Sequence, residues 1–281
     1  TAGNMQRHEG TFQSREGIRL FRQAWWPEGA PRASLLIVHG FAEHCGRHAW
    51  HAGKLAERGY AVHALDLRGH GRSPGSRVYV DRIERYVDDL DCLAETVRRE
   101  LPGQKLFVFG HSMGGLIAAL WAIDRQPDVA GIVLSAPPLL VAPGVFPRLR
   151  RFAGLVGRWL PRLRLVRLGS RNLSRDERVV AAFRSDPLVF HGRLPTRTGA
   201  EILRAGPYAI QRAASLVVPL LVLQGTADRV VDPVGAEELV CRAGTGDKTL
   251  LRYEGLFHEL LSEPEREQVF ADLAAWLDAR V

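Results

Sequence analysis

The chain has 281 residues, 46% hydrophobic and 25% charged, with 28 Gly and 16 Pro. That composition excludes a coiled coil, a collagen-like repeat and a disordered polymer, and the length suits one large α/β unit or two small domains. The net charge of +7 is concentrated: residues 140–212 hold 15 Arg, no Lys and four acidic residues, a charge of +11, which leaves −4 for the rest. A basic excess confined to one segment, without stacking aromatics or a known module, argues against nucleic-acid binding. No apolar run approaches the ~18–20 residues of a membrane span. Residues 1–9 lack the layout of a secretory signal, and Cys45, Cys92 and Cys241 stand far apart without a CxxC. A reduced cytoplasm is the expected compartment.

Short runs rich in Val, Ile and Leu alternate with helical patterns, which predicts a mostly parallel sheet with helices on both faces. Strands are expected at 10–14 and 19–26, joined as a hairpin through Arg15-Glu16-Gly17. Others follow at 34–39, 61–66, 105–110, 131–135, 220–224 and 249–254. Helices are expected at 47–58, 83–100, 113–125, 234–241 and 263–279, the last opened by a Ser262/Glu265 capping box. From 137 to 218 the alternation stops, and Pro- and Arg-punctuated helical segments appear with no convincing strand. That is too long for a loop and predicts an inserted helical cap. The division is a sheet-containing core at 1–137 and 218–281 with a cap at 138–217. Within the cap, residues 143–168 taken as a helix align Leu149, Phe152, Ala153, Val156 and Leu160 on one face. Arg150, Arg151 and Arg158 lie off it, a basic amphipathic pattern suited to an anionic bilayer or to ordinary core packing.

The strongest chemical signal is Gly110-His111-Ser112-Met113-Gly114-Gly115, a G-x-S-x-G between a strand and a helix. That context is a nucleophile elbow, with Ser112 raised above the sheet. A serine hydroxyl needs a base and a group to orient it. Asp228 lies four residues past the strand 220–224, on the edge where such sites assemble. Asp232 competes, but Pro233 follows it and a helix starts there, so it reads as a cap. Of the histidines beyond the elbow, His191 falls in the cap and upstream of the acid. His258 follows the strand 249–254 by a short turn and is the expected base, whereas His111 is expected to point away from the nucleophile. Two N–H donors should face the oxyanion: the amide of Met113 and that of Phe41, in the loop His39-Gly-Phe-Ala-Glu-His44. His44, His48 and His51 are spaced as metal ligands could be, but no carboxylate or Cys completes a zinc set. The loop Arg68-Gly-His-Gly-Arg-Ser-Pro-Gly75 lacks the ending and the following helix of a phosphate loop and reads as structural.

Together His39-Gly-Phe-Ala-Glu-His44, Asp66-Leu-Arg-Gly-His-Gly-Arg-Ser73, Gly110-His-Ser-Met-Gly-Gly115, Gly225-Thr-Ala-Asp-Arg229 and the run from Asp247 to His258 resemble the monoacylglycerol lipase family of α/β-hydrolases. Ser185-Asp-Pro-Leu188 in the cap is similar to that family as well. The resemblance spans residues 10–281 and is weakest across 143–171. It implies the α/β-hydrolase fold, Ser112, Asp228 and His258 as triad, and Phe41 and Met113 as oxyanion donors. It departs at Phe41, where the family often has a small residue. The implied activity is hydrolysis of monoacylglycerols to glycerol and fatty acid through an acyl-enzyme, without metal or cofactor. The substrate would be a small lipid ester; peripheral contact of the cap with a membrane is an expectation from its basic amphipathic pattern alone. Alternatives are a lysophospholipase, a broad carboxylesterase, or a receptor on the same fold. Haloalkane dehalogenation is excluded because its nucleophile is Asp.

Overall fold

The computed structural model describes residues 6–142, 156–166 and 169–281. Eight strands form one sheet in the order β1-β2-β4-β3-β5-β6-β9-β10. They are β1 (Gln6–Gln13), β2 (Arg19–Trp26), β3 (Ala33–Val38), β4 (Tyr60–Leu65), β5 (Leu106–His111), β6 (Gly131–Ser135), β9 (Leu220–Gly225) and β10 (Lys248–Tyr253). The β1–β2 hairpin is antiparallel and joins β4 antiparallel; every pair from β4 to β10 is parallel. The expected strands therefore stand where the apolar runs place them, the first beginning four residues earlier than its pattern suggests.

A parallel strand covered on both faces reads as a continuous apolar run, because alternate side chains enter different cores. In β3, Leu36 and Val38 enter one core, formed with helices α2 (Glu84–Glu100) and α3 (Met113–Arg125). Leu35 and Ile37 enter the other, formed with α1 (Ala49–Glu57) and α7 (Arg266–Asp278). All four are wholly buried, and each contributes about 1.5–3 kcal/mol relative to exposure.

The described part of the chain between β6 and β9 lies over the carboxyl ends of the strands and shares one cavity with the loops there. Its described elements are the short antiparallel pair β7 (Arg164–Val166) and β8 (Leu194–Pro195), with α4 (Glu177–Ser185) and α5 (Thr196–Gln211). The strand pair corrects the expectation of a strand-free segment. The long helix expected over 143–168 is also corrected at residues 160–166; residues 143–155 and 167–168 lie outside the described residues. Residues 156–159 are helical, but the turn at Pro161 leads into β7. Of its supposed apolar face, Val156 lines an internal cavity while Leu160 is exposed; residues 149–153 lie outside the described residues. The last core helix, α7, begins at Arg266 rather than 263, and Ser262 belongs to a preceding 3-10 turn. The capping box is absent because Glu265 itself stands at the N-cap and its carboxylate accepts from the Arg175 guanidinium. The remaining core helix is α6 (Val234–Arg242).

Candidate active site

Ser112 occupies the sharp turn from β5 into α3, with φ 50° and ψ −121°. A non-glycine residue held there costs about 1–3 kcal/mol, and surrounding packing must enforce it. That packing is visible at Gly114, where an added Cβ would lie 2.1 Å from the Val38 carbonyl oxygen. Only a residue without a side chain lets α3 approach β3 this closely. The Ser112 N–H donates to the Ser135 carbonyl at 2.8 Å, tying the turn to the next strand.

The Ser112 hydroxyl lies 2.9 Å from Nε2 of His258, whose Nδ1 lies 2.7 Å from Oδ2 of Asp228. The other oxygen of Asp228 accepts the N–H groups of Val230 and Val231 at 2.8 and 3.1 Å. Burial pushes the Asp228 carboxyl up, but His258 and the two amides outweigh it and hold the pKa below its ordinary value. For His258 burial acts downward; Asp228 first, then Glu259 and Glu43, raise its pKa above that of free imidazole. The arrangement can take a proton from the serine hydroxyl and keep the resulting imidazolium paired with a carboxylate.

Phe41 and Met113 line the cavity beside Ser112. Met113 opens α3, so its N–H has no intrahelical acceptor. The loop carrying Phe41 is braced throughout. Nε2 of His39 accepts from the Leu67 N–H at 3.0 Å, which leaves Nδ1 to donate to the Gly40 carbonyl at 2.7 Å. Burial lowers the His39 pKa to about 3, so this ring stays neutral. The Gly40 N–H donates to Glu43 Oε1 at 2.6 Å. The Phe41 ring packs edge-on against His70, 5.9 Å away. The glycine-rich loop 68–75 also braces it: Asp66 accepts from the N–H groups of Cys45 and Arg72, both at 2.8 Å.

Three residues that sequence reasoning passed over sit behind this loop. Arg47 lies 3.1 Å from Glu43 and 2.7 Å from Glu259, bridging the Phe41 loop to the residue after His258. Its guanidinium also stacks 4.6 Å over Phe183 of α4. The signal available was Glu43 four residues before Arg47; the second carboxylate on Arg47, Glu259, is 212 residues away. Of the three histidines considered as ligands, His48 and His51 pair with each other and His44 turns to the cap. His44 Nε2 meets Asp186 at 2.9 Å, while His48 Nδ1 faces His51 Nε2 at 3.1 Å and His48 Nε2 lies 3.4 Å from Glu43. His111 lies between His48 and His258, and burial lowers its pKa to about 3. Asp232 takes no part: its Oδ1 accepts from the Val234 N–H at 3.1 Å, at the start of α6. His191 lies far along the chain from the elbow, on the cavity rim, bonded to the Asp186 carbonyl.

Above Ser112 opens a cavity of about 990 Å³, at the upper end of the size of ligand pockets. Its walls are mainly apolar, including Val141, Val156, Val166, Phe190, Ile202 and Leu203.

The sheet order and the serine at the β5–α3 turn define the class: an α/β-hydrolase. The family described as serine aminopeptidase, S33, matches residues 29–265. A monoacylglycerol lipase of Mycolicibacterium smegmatis is 36% identical, the match covering 96% of this chain and 97% of that protein. A monoglyceride lipase of Homo sapiens is 37% identical, over 94% of this chain and 88% of that protein. Among solved structures, the monoacylglycerol lipase of Paleococcus ferrophilus superposes with a TM-score of 0.84 at 30% identity, covering 99% of this chain and all of that one. The chain belongs to the monoacylglycerol lipase family of α/β-hydrolases, within the group described as serine aminopeptidase, S33.

Proposed function

We propose that this protein hydrolyses monoacylglycerols to glycerol and fatty acid through an acyl-enzyme on Ser112. The observation that carries this reading is the hydrogen-bonded run Ser112–His258–Asp228, at 2.9 and 2.7 Å, on the floor of an apolar cavity. His258 takes the Ser112 proton as Oγ attacks the ester carbonyl, and then delivers it to the departing glycerol oxygen. The amides of Phe41 and Met113 stabilise the oxyanion, and water completes the cycle by the same steps in reverse. No cofactor enters this chemistry. The relatives' named substrates and the apolar walls, suited to an acyl chain, support a lipid ester. Residues 138–217 act as the cap that roofs the acyl site, and residues 1–137 and 218–281 as the hydrolase core.

The cap also supports peripheral contact with a membrane by a cytoplasmic enzyme. Trp159, Leu160, Leu163 and Leu165 are 73, 56, 41 and 39% exposed, and Arg158, Arg162 and Arg164 are interspersed among them. Clustered exposed apolar side chains mark an interaction surface, and arginines among them suit anionic headgroups.

The substrate assignment is tested by turnover of 1-monoacylglycerols from C8 to C18 beside lysophosphatidylcholine and p-nitrophenyl butyrate. The expected result is the highest kcat/KM on a monoacylglycerol. A p-nitrophenyl butyrate value above every monoacylglycerol would make the protein a general carboxylesterase instead.

A further inference from the structure

The cavity lining carries an excess of arginine, and the chemistry identifies which half of the substrate lies beside His258. In ester cleavage the alcohol leaves from the side of the histidine that protonates it, so the alcohol half sits beside His258. Arg229 follows Asp228 directly and lines this cavity, its guanidinium 5.0 Å over the ring of Phe257, the residue before His258. Arg171 lines it as well, two residues before Leu173, whose carbonyl accepts the Glu259 N–H at 2.7 Å. A third lining arginine, Arg184, donates from Nε to the Ser170 hydroxyl at 2.8 Å. None of the three forms an ion pair among the described residues. The two acidic residues of the lining, Glu43 and Glu259, share Arg47, so four arginines face two carboxylates here. Three cationic groups thus line the cavity that holds His258, next to walls suited to an acyl chain.

We propose that this site also hydrolyses acyl esters whose alcohol is anionic, with glycerol phosphate as the alcohol class. Arg171, Arg184 and Arg229 would hold the phosphate while Ser112 cleaves the acyl–oxygen bond. The acyl group passes to Ser112 Oγ, the serine proton travels through His258 to the glycerol phosphate oxygen, and water releases the fatty acid. This proposal rests on the reading of Ser112 as nucleophile. An arginine carries a fixed charge and a planar fork that matches phosphate oxygens, so neither a neutral glycerol nor an aliphatic chain accounts for three of them.

The test compares kcat/KM for 1-octanoylglycerol and 1-octanoylglycerol 3-phosphate, both below their micellar concentrations so that no charged lipid surface contributes. The expected wild-type result is turnover of the phosphate ester within about tenfold of the neutral one at low salt, with the ratio falling at high salt. Arg171→Gln/Arg229→Gln should lower the phosphate-to-neutral ratio about tenfold. Arg171→Lys/Arg229→Lys should keep most of it, separating charge from packing on Phe257. A wild type that spares the phosphate ester, or a ratio unmoved by the Gln pair, overturns the proposal while neutral turnover leaves the monoacylglycerol reading intact. A wild type inactive on both esters overturns that reading and this one with it.

Discussion

Asp228 and Asp232 make the same local contact: each accepts, through Oδ1, the N–H two residues ahead. Local pattern therefore distinguishes them poorly. The difference lies in the second oxygen, which in Asp228 meets His258 at 2.7 Å across 30 residues. The order of Ser, acid and His along the chain was legible because motif and neighbouring strands sit close in sequence. Glu259 and Arg47 were not, since a charge pair spanning the whole fold leaves no spacing to read. The two aspartates should respond differently to substitution. Under the proposed mechanism kcat/KM needs neutral His258, so it falls as pH drops through the raised His258 pKa. Asp228→Asn removes the partner that raises it most. It should cut turnover by roughly 10⁴-fold and move the acid limb of the residual activity to lower pH. Asp232→Asn, which still caps a helix, should leave both nearly unchanged. A pH–rate profile of each variant checks this, and an unmoved acid limb in Asp228→Asn would count against the assignment.

Among the elements, the core strands and helices were legible from apolar periodicity because each is buried on a regular face. The segment between β6 and β9 was not. Arg162-Leu163-Arg164-Leu165 alternates with period two, a strand signal, whereas the apolar stripe of the expected helix, Leu149 to Leu160, ends before Pro161. Pairing with Leu194–Pro195 decides for the strand, and that partner lies almost thirty residues away. The outcome turns Trp159, Leu160 and Leu163 outward. The cap surface is therefore expected to bind anionic vesicles. Trp159→Ala/Leu163→Ala should reduce co-sedimentation severalfold, and high salt should weaken the wild type's binding. Equal sedimentation of both proteins on anionic and neutral vesicles would leave the patch without a membrane role.

At the scale of the whole molecule, an unusual share of buried histidine sets the acid behaviour. Burial lowers His39 and His111 to about 3, and His63 and His70 to about 4. Each is neutral when folded, whereas in the unfolded chain it protonates near pH 6.5. A depressed folded pKa contributes stability above the unfolded value that is lost as pH falls through the folded one. The window here runs from about pH 6.5 down to about 3. Near pH 5 unfolding should take up on the order of four protons from these groups, each worth about 1.4 kcal/mol per pH unit. Urea midpoints should therefore drop steeply between pH 6.5 and 4; a flat midpoint over that range would contradict the assignment of these rings as neutral.

All these readings converge on Ser112 as the residue that carries the acyl group. The most direct measurement is intact and peptide mass spectrometry of protein quenched in acid during turnover of p-nitrophenyl butyrate, beside the steady-state rate of Ser112→Ala. The account predicts a butyryl adduct on the peptide containing Ser112, and a folded Ser112→Ala with no adduct and several orders of magnitude less activity. An adduct on another residue, or a Ser112→Ala variant that keeps more than a few per cent of wild-type turnover, would contradict it.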